Sequence, residues 1–217
     1  MIDQASPVSL AIYLALFSLV PILVVMTTSF VKISVVILLL RNALGVQQIP
    51  PNIAVYGIAT VLTCYVMAPV GQAMYHSIAA NPAAMSSLPA LFDGLARAAA
   101  PLRDFLLNHS DPAQLRFFVD TVKQLWPPEM ASSVTDHDFM VLMPAFLVSE
   151  LTNAFMMGFL LYLPFVVIDL IVQSVMLALG MMMMSPMTVS LPLKLLLFVM
   201  ADGWSRLLHG LVISYAK

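Results

Sequence analysis

Residues 139–179 read FMVLMPAFLVSELTNAFMMGFLLYLPFVVIDLIVQSVMLAL, an apolar run in which Glu150 and Asp169 are the charged interruptions. A helix of that length would measure about 60 Å at 1.5 Å per residue, roughly twice the ~30 Å hydrocarbon thickness of a bilayer. Pro144 and Pro164 are kink sites within it, because proline lacks the N–H that closes a helical turn and its ring crowds the turn before. The run reads as one kinked helix or as a re-entrant pair. Either reading makes the chain a helical membrane protein.

The rest of the chain falls into place around this run. Downstream, Gly180–Pro192 is a break containing Met181, Met182, Met183, Met184, Ser185, Pro186 and Met187, and a last helix is expected from about Leu193 to Ser214. At the other end, Gln4–Val31 carries no charge, and the apolar character continues past Lys32 to Leu40. This first run must tilt, kink at Pro21 or project beyond the bilayer. Arg41-Asn42-Ala43-Leu44-Gly45 stops it, and a loop follows over Gln47-Gln48-Ile49-Pro50-Pro51-Asn52. A second uncharged run covers Ile53 to about Ala80, with Pro69 and Gly71 as its kink, and Asn81-Pro82 and Leu88-Pro89 end it. The fold class expected is all-α: kinked hydrophobic hairpins of about four long segments with a small polar helical insertion. Residues 1–80 form the first hairpin, 81–138 the insertion, and 139–217 the second hairpin with a methionine loop over 181–187.

Composition agrees with this division. Hydrophobic residues make up 61% of the 217 and charged residues 9%, against about 25% charged in an ordinary soluble domain. Eleven of the twenty charges lie between Asp93 and Asp138, so that stretch is the water-exposed part. Within it, Pro101–His109 and Pro112–Trp126 suggest two short amphipathic helices, the second with Asp111 as N-cap. A net charge of −2 leaves no broad basic face for nucleic acid. Cys64 has no partner in the chain and reads as a small buried hydrophobe. The amino-terminal stretch carries Asp3 and no Lys or Arg, and its apolar run outlasts a signal-peptide core, so it reads as retained. Arg41 beside a short loop places that loop in the cytoplasm and the insertion in the periplasm.

Catalytic and metal templates fail. His76, His109, His137 and His209 are scattered, and no His-Glu-x-x-His, Cys pair or Gly-x-Ser-x-Gly occurs. The triplet Asp136-His137-Asp138 reads as a solvated loop edge, since adjacent residues do not face one point. No catalytic residue, metal or cofactor is expected, and the chain does not read as an enzyme. More informative are the charges inside apolar runs: Lys32, Glu150, Asp169, Lys194, Asp202 and Arg206. Each costs about 2.5–3.5 kcal/mol on insertion scales and must be compensated. Their balanced signs fit paired charges in packing and assembly, while an ion path or snorkelling ends would also place them there. Asp202 and Arg206, four apart, can pair on one helix; Asp169 and Lys194 could pair across the methionine loop. Clustered methionines are unbranched and polarizable, so the loop is either a deformable seal around a passing chain or hydrophobic filler at a helix end.

Three blocks resemble the FliP/YscR/SctR family of type III secretion export-gate subunits. They are Thr28-Ser29-Phe30 through Leu40-Arg41-Asn42-Ala43-Leu44-Gly45 with Pro50-Pro51-Asn52; Phe146-Leu147-Val148-Ser149-Glu150-Leu151 through Ile168-Asp169; and Gly180-Met181-Met182-Met183 with Ser190-Leu191-Pro192-Leu193-Lys194-Leu195 and Asp202-Gly203-Trp204. The resemblance implies a homo-oligomer, expected to be a pentamer, assembled with smaller subunits of the SctS and SctT type and a SctU-type switch protein. Together they form a closed channel for unfolded secreted proteins at the bacterial inner membrane. It implies that the methionine loop is the pore gasket and that the helices stand raised toward the periplasm. Flagellar members often carry a cleaved signal peptide and a Pro-Pro pair after the methionines; Ser185-Pro186-Met187 stands here instead, which points to the injectisome branch. The competing reading is an ion-coupled secondary transporter using Glu150, Asp169 and Lys194.

Overall fold

The computed structural model describes residues 7–46, 48–80, 94, 96–181 and 183–216. The expected breaks at Asn81-Pro82 and Leu88-Pro89, the residues before Pro7, and Met182 lie outside them. Among the described residues there are helices and no strand: α1 Pro7–Thr27, α2 Phe30–Leu44, α3 Asn52–Ala79, α4 Ala100–His109, α5 Pro112–Leu125, α6 Pro128–Ala131, α7 Phe139–Ala178, α8 Pro186–Met200 and α9 Gly203–Ile213.

The core is organised on α2. Ile33, Val36, Ile37, Leu40 and Leu44 recur at helical spacing, and each is at most 4% exposed. The facing helix, α7, buries Val141, Leu142, Ala145, Phe146 and Ala154. Its Gly158 lies so close to α2 that a Cβ there would sit 2.3 Å from Leu39 Cδ1. Ala154 and Gly158, four apart, thus let the two backbones approach, the small-residue packing on which membrane helices rely.

α7 is one continuous helix through Pro144 and Pro164, which resolves the choice between a single helix and a re-entrant pair. Two other expectations need correction. The first apolar run breaks at Thr28-Ser29 with a 64° bend, while Pro21 stays inside α1. Thr27 and Thr28 explain the position: their hydroxyls donate to the carbonyls of Leu23 and Val24 at 2.7 Å, competing with the backbone at the end of the helix. The last run is two helices bent by 62°, not one helix from Leu193 to Ser214. Helix resumes at Pro186, in the first turn where proline loses no bond, and ends where Asp202 turns left-handed at φ 52°. Cys64 is exposed, because α3 buries a single stripe of Val55, Ala59 and Thr63 and Cys64 lies beside it.

The polar insertion docks on the N-terminal half of α7. Asp111 caps α5, its Oδ1 accepting from Ala113 N at 2.7 Å. The Asp111 N–H donates to Ser149 Oγ at 2.8 Å, and Ser149 in turn donates to Ala145 O at 2.7 Å. Phe105 packs on Phe146 with ring centroids 5.8 Å apart, and the Arg103 guanidinium lies 5.2 Å from the Phe139 ring. Phe105, Leu106, Leu115 and Val122 are buried, so this charged stretch has an apolar underside as well as a wet face. The short α6 was not foreseen.

α3 and α7 are each long and apolar enough to cross a membrane, and the bent pairs of α1 with α2 and of α8 with α9 each qualify if counted as one span. Only 17% of the most apolar stretch of α3, and likewise of α7, is buried within the chain.

Candidate functional site

Four of the six charges inside the apolar segments form two clasps. In the first, Lys32 Nζ on α2 meets Glu150 Oε1 on α7 at 3.1 Å, with side chains 3% and 1% exposed. The second carboxylate oxygen, Oε2, accepts from the hydroxyl of Tyr215, just past α9. Tyr215 Oη also lies 3.5 Å from the Ser29 carbonyl at the bend, and its ring sits 3.5 Å under Lys32 Nζ. His109 and Phe105 of α4 stack on the same ring, with centroids 5.3 and 6.1 Å away. A carboxylate in such a place is tolerable only with a countercharge and filled lone pairs. Lys32 and Tyr215 supply these, and four segments are thereby fixed to one another.

In the second clasp, Lys194 Nζ of α8 donates to Asp169 Oδ2 of α7 at 2.5 Å and to the Ala43 carbonyl at 3.2 Å. The Ala43 carbonyl belongs to the last turn of α2, where carbonyls lack intrahelical partners. A cation there is also favoured by the helix dipole. This clasp therefore fixes the relation of α7 to α8, and with it the turn between them.

That turn carries the methionines. Gly180, at φ 72°, sends its N–H to Leu177 O at 3.0 Å, and Met181 N reaches Met176 O at 3.0 Å. These are the paired bonds of a Schellman cap, for which glycine is needed because other residues resist the left-handed region. Met183 is fully exposed, at 102%, and Met181, Met184 and Met187 are exposed as well. Soft apolar side chains are thus held in open space on a backbone fixed by a cap on one side and an ion pair on the other.

Asp202 and Arg206 do not join each other. No ion pair within 4.0 Å links them; Asp202 accepts from Ser205 Oγ at 2.9 Å, and its backbone carbonyl accepts from Arg206 N at 3.1 Å. The local pair expected from the sequence fails because Asp202 stands ahead of α9 in a left-handed conformation, outside the helical geometry that brings i and i+4 together. Elsewhere, Asp138 Oδ2 accepts from Thr135 N at 2.7 Å and serves its own loop, and Arg41 Nη1 donates to Asn52 Oδ1 at 2.6 Å and Pro50 O at 3.3 Å, closing the loop between α2 and α3. Tyr215 is the participant that the sequence reading missed; a lone tyrosine after the last apolar helix offers no pattern by which to find it.

These features define an all-helical membrane protein in which two ion pairs join the helices and a methionine turn stands at one end. The chain belongs to the FliP family, whose pattern matches residues 13–211. It is 54% identical to the Yop proteins translocation protein R of Yersinia pestis over 99% of both chains. It is also 48% identical to the harpin secretion protein HrcR of Erwinia amylovora over 98% of both, and 43% identical to the virulence protein YscR of Salmonella typhimurium over 97% of this chain and 98% of that one.

Proposed function

We propose that this protein is the export-gate subunit of a type III secretion apparatus of the injectisome kind, a homo-oligomer whose methionine turns converge to close a conduit for unfolded proteins. Near full-length similarity to proteins named for Yop translocation, harpin secretion and virulence supports the secretory role. The observation that carries the gate reading is the turn at Gly180, capped where α7 ends and lined by exposed methionines. Polarizable, unbranched side chains can close on one another or conform to an irregular passing chain. Large apolar faces on α3 and α7 fit burial against other copies and against smaller subunits of the SctS, SctT and SctU types.

The assembly sits at the inner membrane, with residues 81–138 on the periplasmic side and the helices partly raised toward it. Glu150 and Asp169, the acids a transporter would use, are each held by a lysine, so no observation favours ion coupling. The test is native mass spectrometry of the full chain in mild detergent, alone and co-expressed with its neighbouring subunits. A discrete homo-oligomer that gains smaller subunits is expected; a monomer indifferent to them defeats the proposal.

A further inference from the structure

Six charges lie in the apolar segments, and the fold treats them unequally. Lys32 with Glu150 and Lys194 with Asp169 are closed inside the chain. Asp202 and Arg206 are both exposed, and neither side chain has an ion pair within 4.0 Å among the described residues. They flank one bend on a largely apolar surface that includes exposed Leu196, Val199, Met200 and Ile213, with exposed His209 one turn beyond Arg206. Ionised groups on such a surface need a countercharge wherever water is scarce.

The bend that carries them is built, not slack. Asp202 holds a left-handed backbone, a conformation that L residues other than Asn and Asp resist. A Cβ on Gly203 would come within 2.2 Å of the Phe198 ring, and Trp204 meets that ring edge-on at 5.5 Å. Arg206 lines two adjoining apolar cavities between α7 and α9, of about 300 and 250 Å³, in which Leu161 and Leu207 are shared walls and no other charged residue takes part. The groove thus suits an apolar helical segment bearing one acid. Among the acids of this chain's apolar segments, Glu150 and Asp169 are already engaged, which leaves Asp202.

We infer that Arg206 of one copy pairs with Asp202 of the adjacent copy, with the neighbour's α8–α9 bend seated against the groove between α7 and α9. The inference rests on the homo-oligomer proposed above and adds the contact that makes it. The contact inferred is head-to-tail: each copy gives Asp202 to one neighbour and Arg206 to the other, so that it repeats around a ring, and a closed dimer joined by two such pairs overturns it. The two charges four residues apart therefore act between copies.

Trans-complementation tests this directly. Full-length wild type, Asp202→Asn, Asp202→Lys and Arg206→Glu chains are extracted in mild detergent and their assembled fraction is read by native mass spectrometry. Asp202→Asn keeps a residue that tolerates the left-handed backbone and removes only the charge. Each variant alone should lose about tenfold or more in assembled fraction, and co-expression of Asp202→Lys with Arg206→Glu should raise it about threefold or more above either variant alone, short of wild type because a ring of five keeps at least one like-charged contact. A folding failure is separated by a second measurement in a Cys64→Ser background: differently tagged copies bearing Asp202→Cys and Arg206→Cys should give a doubly tagged covalent dimer with a short bis-maleimide. Variants that assemble like wild type, or absence of that dimer, overturn the inference. Loss of a bound anionic lipid on Arg206→Gln with no effect of Asp202→Asn overturns it in favour of a lipid phosphate. A wild type that remains monomeric overturns the gate reading as well, whereas assembled wild type with indifferent variants overturns this contact alone.

Discussion

Removing either charge of the Lys32–Glu150 clasp should cost far more than removing both. At 3.1 Å and an effective dielectric of about 20, the attraction is roughly 5 kcal/mol. Stripping water from two groups only 3% and 1% exposed costs several kcal/mol per ion, so the net value of the pair is small. A single change is different, because it leaves the survivor buried without a countercharge, at about 3–5 kcal/mol. Glu150→Gln also weakens the acceptor of the Tyr215 hydroxyl, and Lys32→Met leaves a bare carboxylate. In a chain of this size each kcal/mol moves Tm by about 2–4 °C, so either single variant should melt about 6–20 °C below wild type. The triple variant Lys32→Met, Glu150→Leu, Tyr215→Phe replaces every polar member by an apolar one of similar size and should melt within about 4 °C of wild type. Thermal aggregation of the detergent-extracted chain, followed by size exclusion, gives the comparison. Equal Tm for wild type and Glu150→Gln, or a triple variant as unstable as the singles, would refute the reasoning.

Lys194→Met should also lower Tm in the same assay, because Asp169 loses its countercharge and the Ala43 carbonyl its donor. Gly203→Ala pushes a methyl to 2.2 Å from the Phe198 ring and should destabilise by about 1–3 kcal/mol, seen as faster proteolysis at the bend. Asp111→Ala removes the acceptor of Ala113 N and should cost about 1 kcal/mol, a drop of about 2–4 °C in Tm. Met183→Ser should leave Tm unchanged within about 1 °C, since the side chain is fully exposed, yet raise the leak of small solutes through the assembled complex; an unchanged leak would count against the seal.

Helix content and the order of apolar runs were legible because hydrophobic length is a strong signal, and Asp111 was legible because an N-cap is a local pattern. The positions of the bends were not. Proline marks candidates, but Pro21, Pro144 and Pro164 all remain inside helices, while the chain turns at Thr28-Ser29 and Asp202. Hydroxyl back-bonding and a left-handed aspartate decide those turns, and neither alters hydropathy. Charge pairing followed the same division. Asp169 and Lys194 flank a turn and so were natural partners, whereas the bond of Glu150 to Tyr215 joins residues 65 apart in sequence and depends on tertiary packing alone.

The length of α7 argues for the raised arrangement independently of any family likeness. Its 40 residues span about 60 Å, so even a tilt of about 40° would leave roughly a third outside a hydrocarbon layer of about 30 Å. The two halves are not equivalent. The N-terminal part, from Phe139 to Ala154, is covered by α2 and by the polar insertion, through Arg103 on Phe139, Phe105 on Phe146 and Asp111 on Ser149. Charged insertion helices are costly to carry into lipid, which supports the proposed placement of the docked half in the aqueous layer. Beyond it, Phe155, Phe159, Leu163, Val167, Leu170 and Leu177 are all exposed, over a length close to one span. The methionine turn closes that second half, held by Lys194 against both α7 and the end of α2. On the proposed gate reading, a movement that opens the turn would either break the Lys194 clasp or carry α2, α7 and α8 together as one body.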